Sequence, residues 1–289
     1  MTDTQAFTEH LITREQGKLY ARDYAGAGPA FVMMHGFPDH LGIYDALVPH
    51  LVAAGRRVVT FDFLGFGKSD KPAGATYTFA DQSDDLEAVI SQLDLGAIVP
   101  VAHDSSGPTG INFALDNPDK VAELVILNSG YDDAKPILWP ELITLFATES
   151  LSALAMAFAT DPAQFGWLLG WQQTRFTVLQ PPEQAAGFRR EIGQLIADNF
   201  IQQPSSGPAF VQLVAQFFPE LARNTERLPE LGGLTMPVKV IWGEFDPYIT
   251  TEVGRDRASH FKNARLTLLP AGHWLQSDMP EAVAKEMLA

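Results

Sequence analysis

Four short stretches carry the residue types that can do covalent chemistry. In the first, the apolar run Ala97–His103 gives way at Asp104-Ser105-Ser106-Gly107 to a helical pattern. A strand-to-helix turn this tight crowds its backbone, so the residues two before and two after its apex must be small. With Asp104 at the apex those flanks are Ala102 and Ser106; with Ser105 there, one flank is the bulky His103. Asp104 is therefore the expected nucleophile, in preference to Ser105 and to a plain helix-capping aspartate. The second stretch, Trp242–Pro247, sets Asp246 in a loop at the carboxyl end of a late strand, where open α/β sheets place their sites. The third, Gly272-His273-Trp274, follows the last strand and puts one of seven histidines just before the final helix. The fourth, His35-Gly36-Phe37-Pro38, follows an early strand. The backbone N–H groups of Phe37 and Ser105 are expected to form an oxyanion hole there. Pro38 is expected to fix that loop, in cis or trans. His35 and His103 are read as packing and hydrogen-bonding residues.

An aspartate nucleophile dictates a reaction. Serine attacking saturated carbon would give an ether, which water does not cleave. A carboxylate attacking saturated carbon gives an alkyl ester, which water opens at the carbonyl carbon of Asp104 itself. Covalent catalysis then splits one hard displacement into two easier steps. His273, oriented by Asp246, acts as base in the second step only. The expected substrates carry a leaving group on sp³ carbon: alkyl halides or epoxides.

The elements that must position these residues alternate along the chain. Two segments, Glu9–Thr13 and Lys18–Tyr24, read as an antiparallel hairpin turned at Gln16-Gly17. Strands are expected at Ala30–His35, Arg57–Phe63, Ala97–His103 and Val121–Asn128. Helices are expected between them at Ile43–Ala54, Phe79–Leu93 and Thr109–Asn117. Near-continuous apolar strands separated by helices mean a parallel sheet covered on both faces. From about Asp133 to Leu231 the text is instead helical and rich in Trp, Phe and Gln, and proline breaks it repeatedly. Strands resume at Pro237–Trp242 and Ala264–Leu269, and a helix at Pro280–Leu288 closes the pattern. The expected division is a core of residues 1–132 and 232–289, with residues 133–231 as an inserted helical cap.

Composition narrows the function. Acidic residues outnumber basic ones 35 to 20, for a formal charge of −15. Such a surface repels nucleic acid and anionic membranes, so neither is an expected partner. With no cysteine there are no disulfides or thiolate metal sites. The opening MTDTQAFTEH lacks the basic and apolar regions of a secretory signal, and Leu151–Thr160 is too short to span a bilayer. A cytoplasmic location is the default. Gly65-Phe66-Gly67 lacks the remaining glycine of a dinucleotide fingerprint, and there is no P-loop, so no cofactor is expected. The adjacent acids Asp84-Asp85 and Asp132-Asp133 have no further ligands beside them, and no metal is expected.

The run Phe61–Pro72, together with His35–Pro38, Val101–Asp104, Trp242–Asp246 and Gly272–Trp274, resembles haloalkane dehalogenases and epoxide hydrolases. These form the Asp-nucleophile branch of the α/β-hydrolase superfamily. The resemblance covers about Ala30–Ser129 and Met236 to the end. It implies an eight-stranded, mostly parallel sheet with helices on both faces and a helical cap. It also implies the order of the triad: nucleophile Asp104, acid Asp246, histidine His273. Relatives usually carry Trp directly after the nucleophile, where dehalogenases use its indole to hold halide; here that position is Ser105. Asn128 fits the subgroup whose acid lies late in the chain and whose second halide-binding Trp comes from the cap. Trp139, Trp167 and Trp171 are the candidates for it.

Epoxide hydrolases of this kind protonate their substrate with two cap tyrosines, and no tyrosine lies within residues 133–231. The expected activity is thus dehalogenase-like, on a small apolar organic substrate with water as co-substrate. An esterase or lactonase using Ser105, an epoxide hydrolase, and a small-molecule receptor without catalysis stand as alternatives. Cap residues Leu138, Phe146, Phe165, Leu168, Phe210 and Phe217 are expected to supply an apolar pocket.

Overall fold

The computed structural model describes residues 6–134 and 136–289; the opening five residues of the expected core and Lys135 of the expected cap lie outside it. Eight strands form one sheet: β1 (Thr8–Arg14), β2 (Gly17–Tyr24), β3 (Ala27–Met34), β4 (Arg56–Phe61), β5 (Ile98–Asp104), β6 (Leu124–Ser129), β7 (Val238–Gly243) and β8 (Ala264–Leu269). Their spatial order is β1-β2-β4-β3-β5-β6-β7-β8. β1 pairs antiparallel with β2, and β2 antiparallel with β4; every later pairing is parallel. The hairpin turns at Glu15-Gln16 rather than Gln16-Gly17, because Gly17 already pairs with Arg14.

β6 and β7 are buried at every position, and β5 at all but its last, as expected of strands with both faces covered. α1 (Val48–Ala53) packs beside the last helix of the chain, Pro280–Leu288. α2 (Phe79–Gln92) packs with α3 (Gly107–Asp116) on the other face. α2 starts at a reciprocal cap, in which Thr78 accepts from the Asp81 N–H and the Asp81 carboxylate accepts from the Thr78 N–H.

The single helix expected over Ile43–Ala54 is two pieces, a 3₁₀ turn at Leu41–Tyr44 and then α1. Pro49 explains the break. It sits in the first turn of α1, and in a continuous helix its ring would clash with the carbonyl four residues back. β6 also starts later than expected, at Leu124, and Val121 makes only an isolated bridge to Ile98.

Among the described residues between β6 and β7, the chain runs through seven α-helices. They are α4 (Glu141–Ala147), α5 (Ser152–Thr160), α6 (Pro162–Phe176), α7 (Pro182–Arg190), α8 (Ile192–Ile201), α9 (Gly207–Ala215) and α10 (Phe217–Leu231). α11 (Thr251–Ser259), α12 (Leu275–Asp278) and α13 (Pro280–Leu288) complete the chain; neither α11 nor α12 was anticipated in the sequence. No single helix among the described residues is long and apolar enough to cross a membrane.

This topology dictates where a site can form. β3 is followed by β4 on one side and β5 lies on its other side, so the loops leaving β3 and β5 diverge at a switch point. The His35–Pro38 loop and the turn at Asp104 open on the same crevice, next to the paired ends Met34 and Ala102.

Candidate active site

Asp104 ends β5 with φ +52, a left-handed conformation that non-glycine residues rarely adopt. Its neighbours hold it there. Buried Ser106 accepts a hydrogen bond from the His103 N–H at 2.9 Å and sits 3.1 Å from the Met34 carbonyl. Ser129 donates to the Asp104 carbonyl at 2.6 Å. Across the crevice, a Cβ on Gly36 would lie 2.2 Å from the Asp104 carboxylate, so that loop can approach the aspartate only as glycine.

His273 and Asp246 come from the loops after β8 and β7. His273 Nδ1 is 2.6 Å from Asp246 Oδ2, and its Nε2 is 3.6 Å from Asp104 Oδ1. The three groups expected to act together are thus adjacent. Asp246 is tied down further: its Oδ1 accepts the N–H groups of Tyr248 and Ile249, and its Oδ2 accepts from Asn128 Nδ2 at 2.9 Å. Asn128, at the end of β6, also accepts from the Gly243 N–H at 2.6 Å. It spans the strand that separates nucleophile from acid.

Burial alone would push the His273 imidazolium down. The Asp246 charge, a contact with Asp104 and the bond to Asp246 outweigh it and hold the group up at about 10. Burial pushes the Asp246 carboxyl up, but the imidazolium, its hydrogen bond and Asn128 together hold it below the usual range.

The expected oxyanion hole is only partly free. The Phe37 N–H donates to Ser105 Oγ at 3.0 Å, because a small side chain after the apex lets its hydroxyl swing onto the adjacent loop. Ser105 is buried and is not at the apex. The Phe37–Pro38 peptide is cis. His35 accepts from the Phe63 N–H at 3.1 Å, and His103 lies 3.0 Å from the His273 carbonyl; burial lowers both imidazoles to about 3, so both are neutral.

Of the three tryptophans, only Trp139 reaches the site. It lines a small chamber with Asp104, Phe217, Ile249 and His273. Trp167 is 64% exposed and points away from the pocket, and Trp171 is only half-buried on the same stripe. The reason is helical period. α6 turns Leu168, Leu169, Gln172 and Phe176 inward, and residues 167 and 171 lie off that face. Leu138 is likewise 60% exposed, not pocket wall. The acid pairs have structural partners: Asp85 binds Arg14 and the Leu64 N–H, and Asp132 pairs with buried Arg257.

Three groups at the site had no counterpart in the sequence reading. Asp39, buried next to the expected loop, accepts the Trp274 indole N–H at 2.9 Å and lies 4.0 Å from His103 Nδ1. Asn199 of α8 donates to the carbonyls of Pro38 and Asp39 at 2.7 and 2.8 Å and accepts from the Gly67 N–H at 2.9 Å. Gln172 of α6 donates to the Tyr248 hydroxyl at 2.7 Å, which in turn donates to Glu141. Position after the HGFP motif was a signal for Asp39. Asn199 and Gln172 meet their partners only through the fold.

Residues 29–280 match the family model described as alpha/beta hydrolase fold. "Putative hydrolase LipZ" of Mycobacterium tuberculosis is 26% identical over 94% of this chain and 92% of its own. A haloalkane dehalogenase of Mycobacterium marinum is 28% identical over 91% of this chain and 84% of its own. Among solved structures, a thermophilic esterase from Thermogutta terrifontis superimposes with TM-score 0.74 at 20% identity, covering 98% of this chain and 97% of the esterase. The sheet order, the loops at its switch point and a family match over most of its length place this chain in the α/β-hydrolase fold family.

Proposed function

We propose that this hydrolase works through an alkyl ester on Asp104, and that its reaction is dehalogenation of a small apolar alkyl halide. One observation carries the reading. The residue in the left-handed apex, facing His273 Nε2 across 3.6 Å, is Asp104, whereas the Ser105 hydroxyl is buried and engaged with Phe37. The dehalogenase relative supports the choice of leaving group, as does Trp139, the cap indole beside Asp104 and His273.

In the first step an Asp104 oxygen attacks sp³ carbon; the C–O bond forms as the carbon–halogen bond breaks, and halide leaves with the electron pair. In the second, His273 Nε2 takes a proton from water, and the hydroxide attacks Cγ of Asp104. The resulting oxyanion takes the Ser105 N–H and, once the Ser105 hydroxyl turns away, the Phe37 N–H. Collapse breaks the Cγ–O bond to the alkyl group, the alcohol leaves with the proton from His273, and the Asp104 carboxyl gives up the remaining water proton to solvent, regenerating the carboxylate.

The test is His273→Ala incubated with brominated and chlorinated alkanes, epoxides and short esters, read by intact-protein mass spectrometry. An alkyl adduct is expected, mapping to Asp104 and absent from Asp104→Asn. Ser105→Ala separates the esterase alternative. It should retain turnover, since it only frees the Phe37 N–H. An acyl adduct on Ser105, or abolition of all activity in Ser105→Ala, would mean a serine esterase instead.

A further inference from the structure

The chambers around Asp104 and His273 are small, and an alkyl chain of more than a few carbons would have to extend beyond them. One, walled by Leu142, Leu169, Gln172 and Phe176, has a volume of ≈ 40 Å³, and the other, beside Trp139, ≈ 20 Å³. Each admits a slim end group or a few waters. A much larger cleft of ≈ 940 Å³ opens between α5, α6, α8 and α9, and is walled by Met156, Phe165, Phe200, Ile201 and Phe210. That volume is within the range of roughly 300–1,000 Å³ found for small-molecule sites. Among the described residues, none that lines it is ionisable.

One feature connects the cleft to the chemistry, and a second shapes the cleft itself. Leu169 and Gln173, one turn apart on α6, line both the cleft and the larger catalytic chamber. Gly166 and Gly170, also one turn apart on α6, line the cleft, and a Cβ on either would meet nothing within 4 Å. Glycine inside a helix costs about 1 kcal/mol relative to alanine, and no tight contact here requires it. What the two glycines do is leave α6 bare where it lines the cleft. On the cleft's lip, Ile201 is 70% and Met156 51% exposed, large apolar side chains left to water in a strongly acidic protein.

We propose that this cleft binds the tail of a neutral, unbranched aliphatic substrate, whose reacting end passes Leu169 and Gln173 to reach Asp104. The choice of an uncharged chain follows from a lining without ionisable groups; the choice of an unbranched one follows from chambers that take only a slim end. This rests on Asp104 as the reacting group, but the binding itself does not require its chemistry.

The test therefore reads binding, not turnover. 1-Hexanol, 1-octanol and 1-decanol are titrated calorimetrically into the wild type, Gly170→Ala and Gly170→Leu. In the wild type, affinity should rise about two- to fourfold per added methylene, the gain expected for burying CH₂ groups. Gly170→Leu should flatten that slope and weaken 1-decanol at least tenfold while moving 1-hexanol far less. Gly170→Ala should melt no lower than the wild type, showing that the helix does not need the glycine. Affinity independent of chain length, or equal losses for all three alcohols in Gly170→Leu, overturns the proposal. So does a wild-type dimer by light scattering that Gly170→Leu splits, which assigns the cleft to a second copy of the chain. Chain-length-dependent binding without any covalent adduct in His273→Ala would leave the cleft standing and remove Asp104 as nucleophile.

Discussion

Nδ1 of His273 lies 2.6 Å from Asp246, whereas its Nε2 is 3.6 Å from Asp104. The first is a short hydrogen bond, and the second is beyond one. Both carboxylates nevertheless act against burial to hold the imidazolium at about 10, well above its ordinary 6.5. At neutral pH the histidine is thus held in its charged form, whereas the base of the proposed second step must be neutral. In that proposal, esterification of Asp104 would remove one of the two negative neighbours and release His273 toward its neutral form.

Asp104→Asn mimics that loss of charge, and the His273 pKa should fall below about 10 in this variant. A stability effect accompanies it. Because the folded value is raised, the contribution of His273 to stability is fully present below 6.5 and is lost as pH rises through about 10. Asp104→Asn should narrow that alkaline loss. Imidazole NMR titration and thermal melts from pH 6 to 10 check both; a His273 pKa that does not move refutes the coupling.

Asp246→Asn should stall the second step. Asparagine can still accept from Tyr248 and Ile249 through its oxygen, but its NH₂ then faces the Asn128 amide and His273 Nδ1, so it cannot stabilise the imidazolium or fix the tautomer. In hydrolases with an acid in this role the loss is on the order of 10⁴-fold. Rapid quench should show a first-turnover burst at near wild-type rate, followed by accumulation of the adduct. Equal slowing of both steps would place Asp246 in the alkylation chemistry as well.

Asp39 predicts a change in the pH dependence of stability. Burial, and then the charge of Asp104, push its carboxyl up from 3.8 to about 7. A raised acid favours the fold while it stays protonated there, so its contribution is lost as pH rises from about 3.8 through 7 and is flat above that. An asparagine in its place has no such slope and can still accept the Trp274 N–H. The melting temperature of Asp39→Asn relative to the wild type should therefore climb between pH 4 and 7 and then level off. A constant difference across that range would show that Asp39 is ionised throughout.

How much of this was legible in the sequence depended on how far each signal reaches along the chain. The apex at Asp104 was readable because its small flanks, Ala102 and Ser106, lie within two residues of it. The central strands β5, β6 and β7 were readable because both of their faces are apolar. Ile43–Ala54 misled because an apolar pattern outvoted the proline inside it. Trp167 and Trp171 misled because composition marks a helix as apolar without telling which stripe faces inward. The Ser105–Phe37 bond was not readable, since it depends on two loops brought together by β3 and β5.

Asn199 is the sharpest case of a partner that only folding supplies, 161 residues from Pro38. It is buried on α8, and its amide grips the loop after β3 through the carbonyls of Pro38 and Asp39 while its oxygen holds the Gly67 N–H. Asn199→Ala strands the half-buried Gly67 donor, a loss of about 1–3 kcal/mol. It also unpins the backbone that carries the Phe37 N–H. In the proposed mechanism that donor acts only when the ester of Asp104 is hydrolysed, so the alkylation rate should be unchanged while the second step slows about tenfold or more. Single-turnover measurements separate the two rates. If both fall together, Asn199 holds the whole crevice rather than the oxyanion loop; if neither does, the loop is held well enough by Gly36 and Pro38 alone.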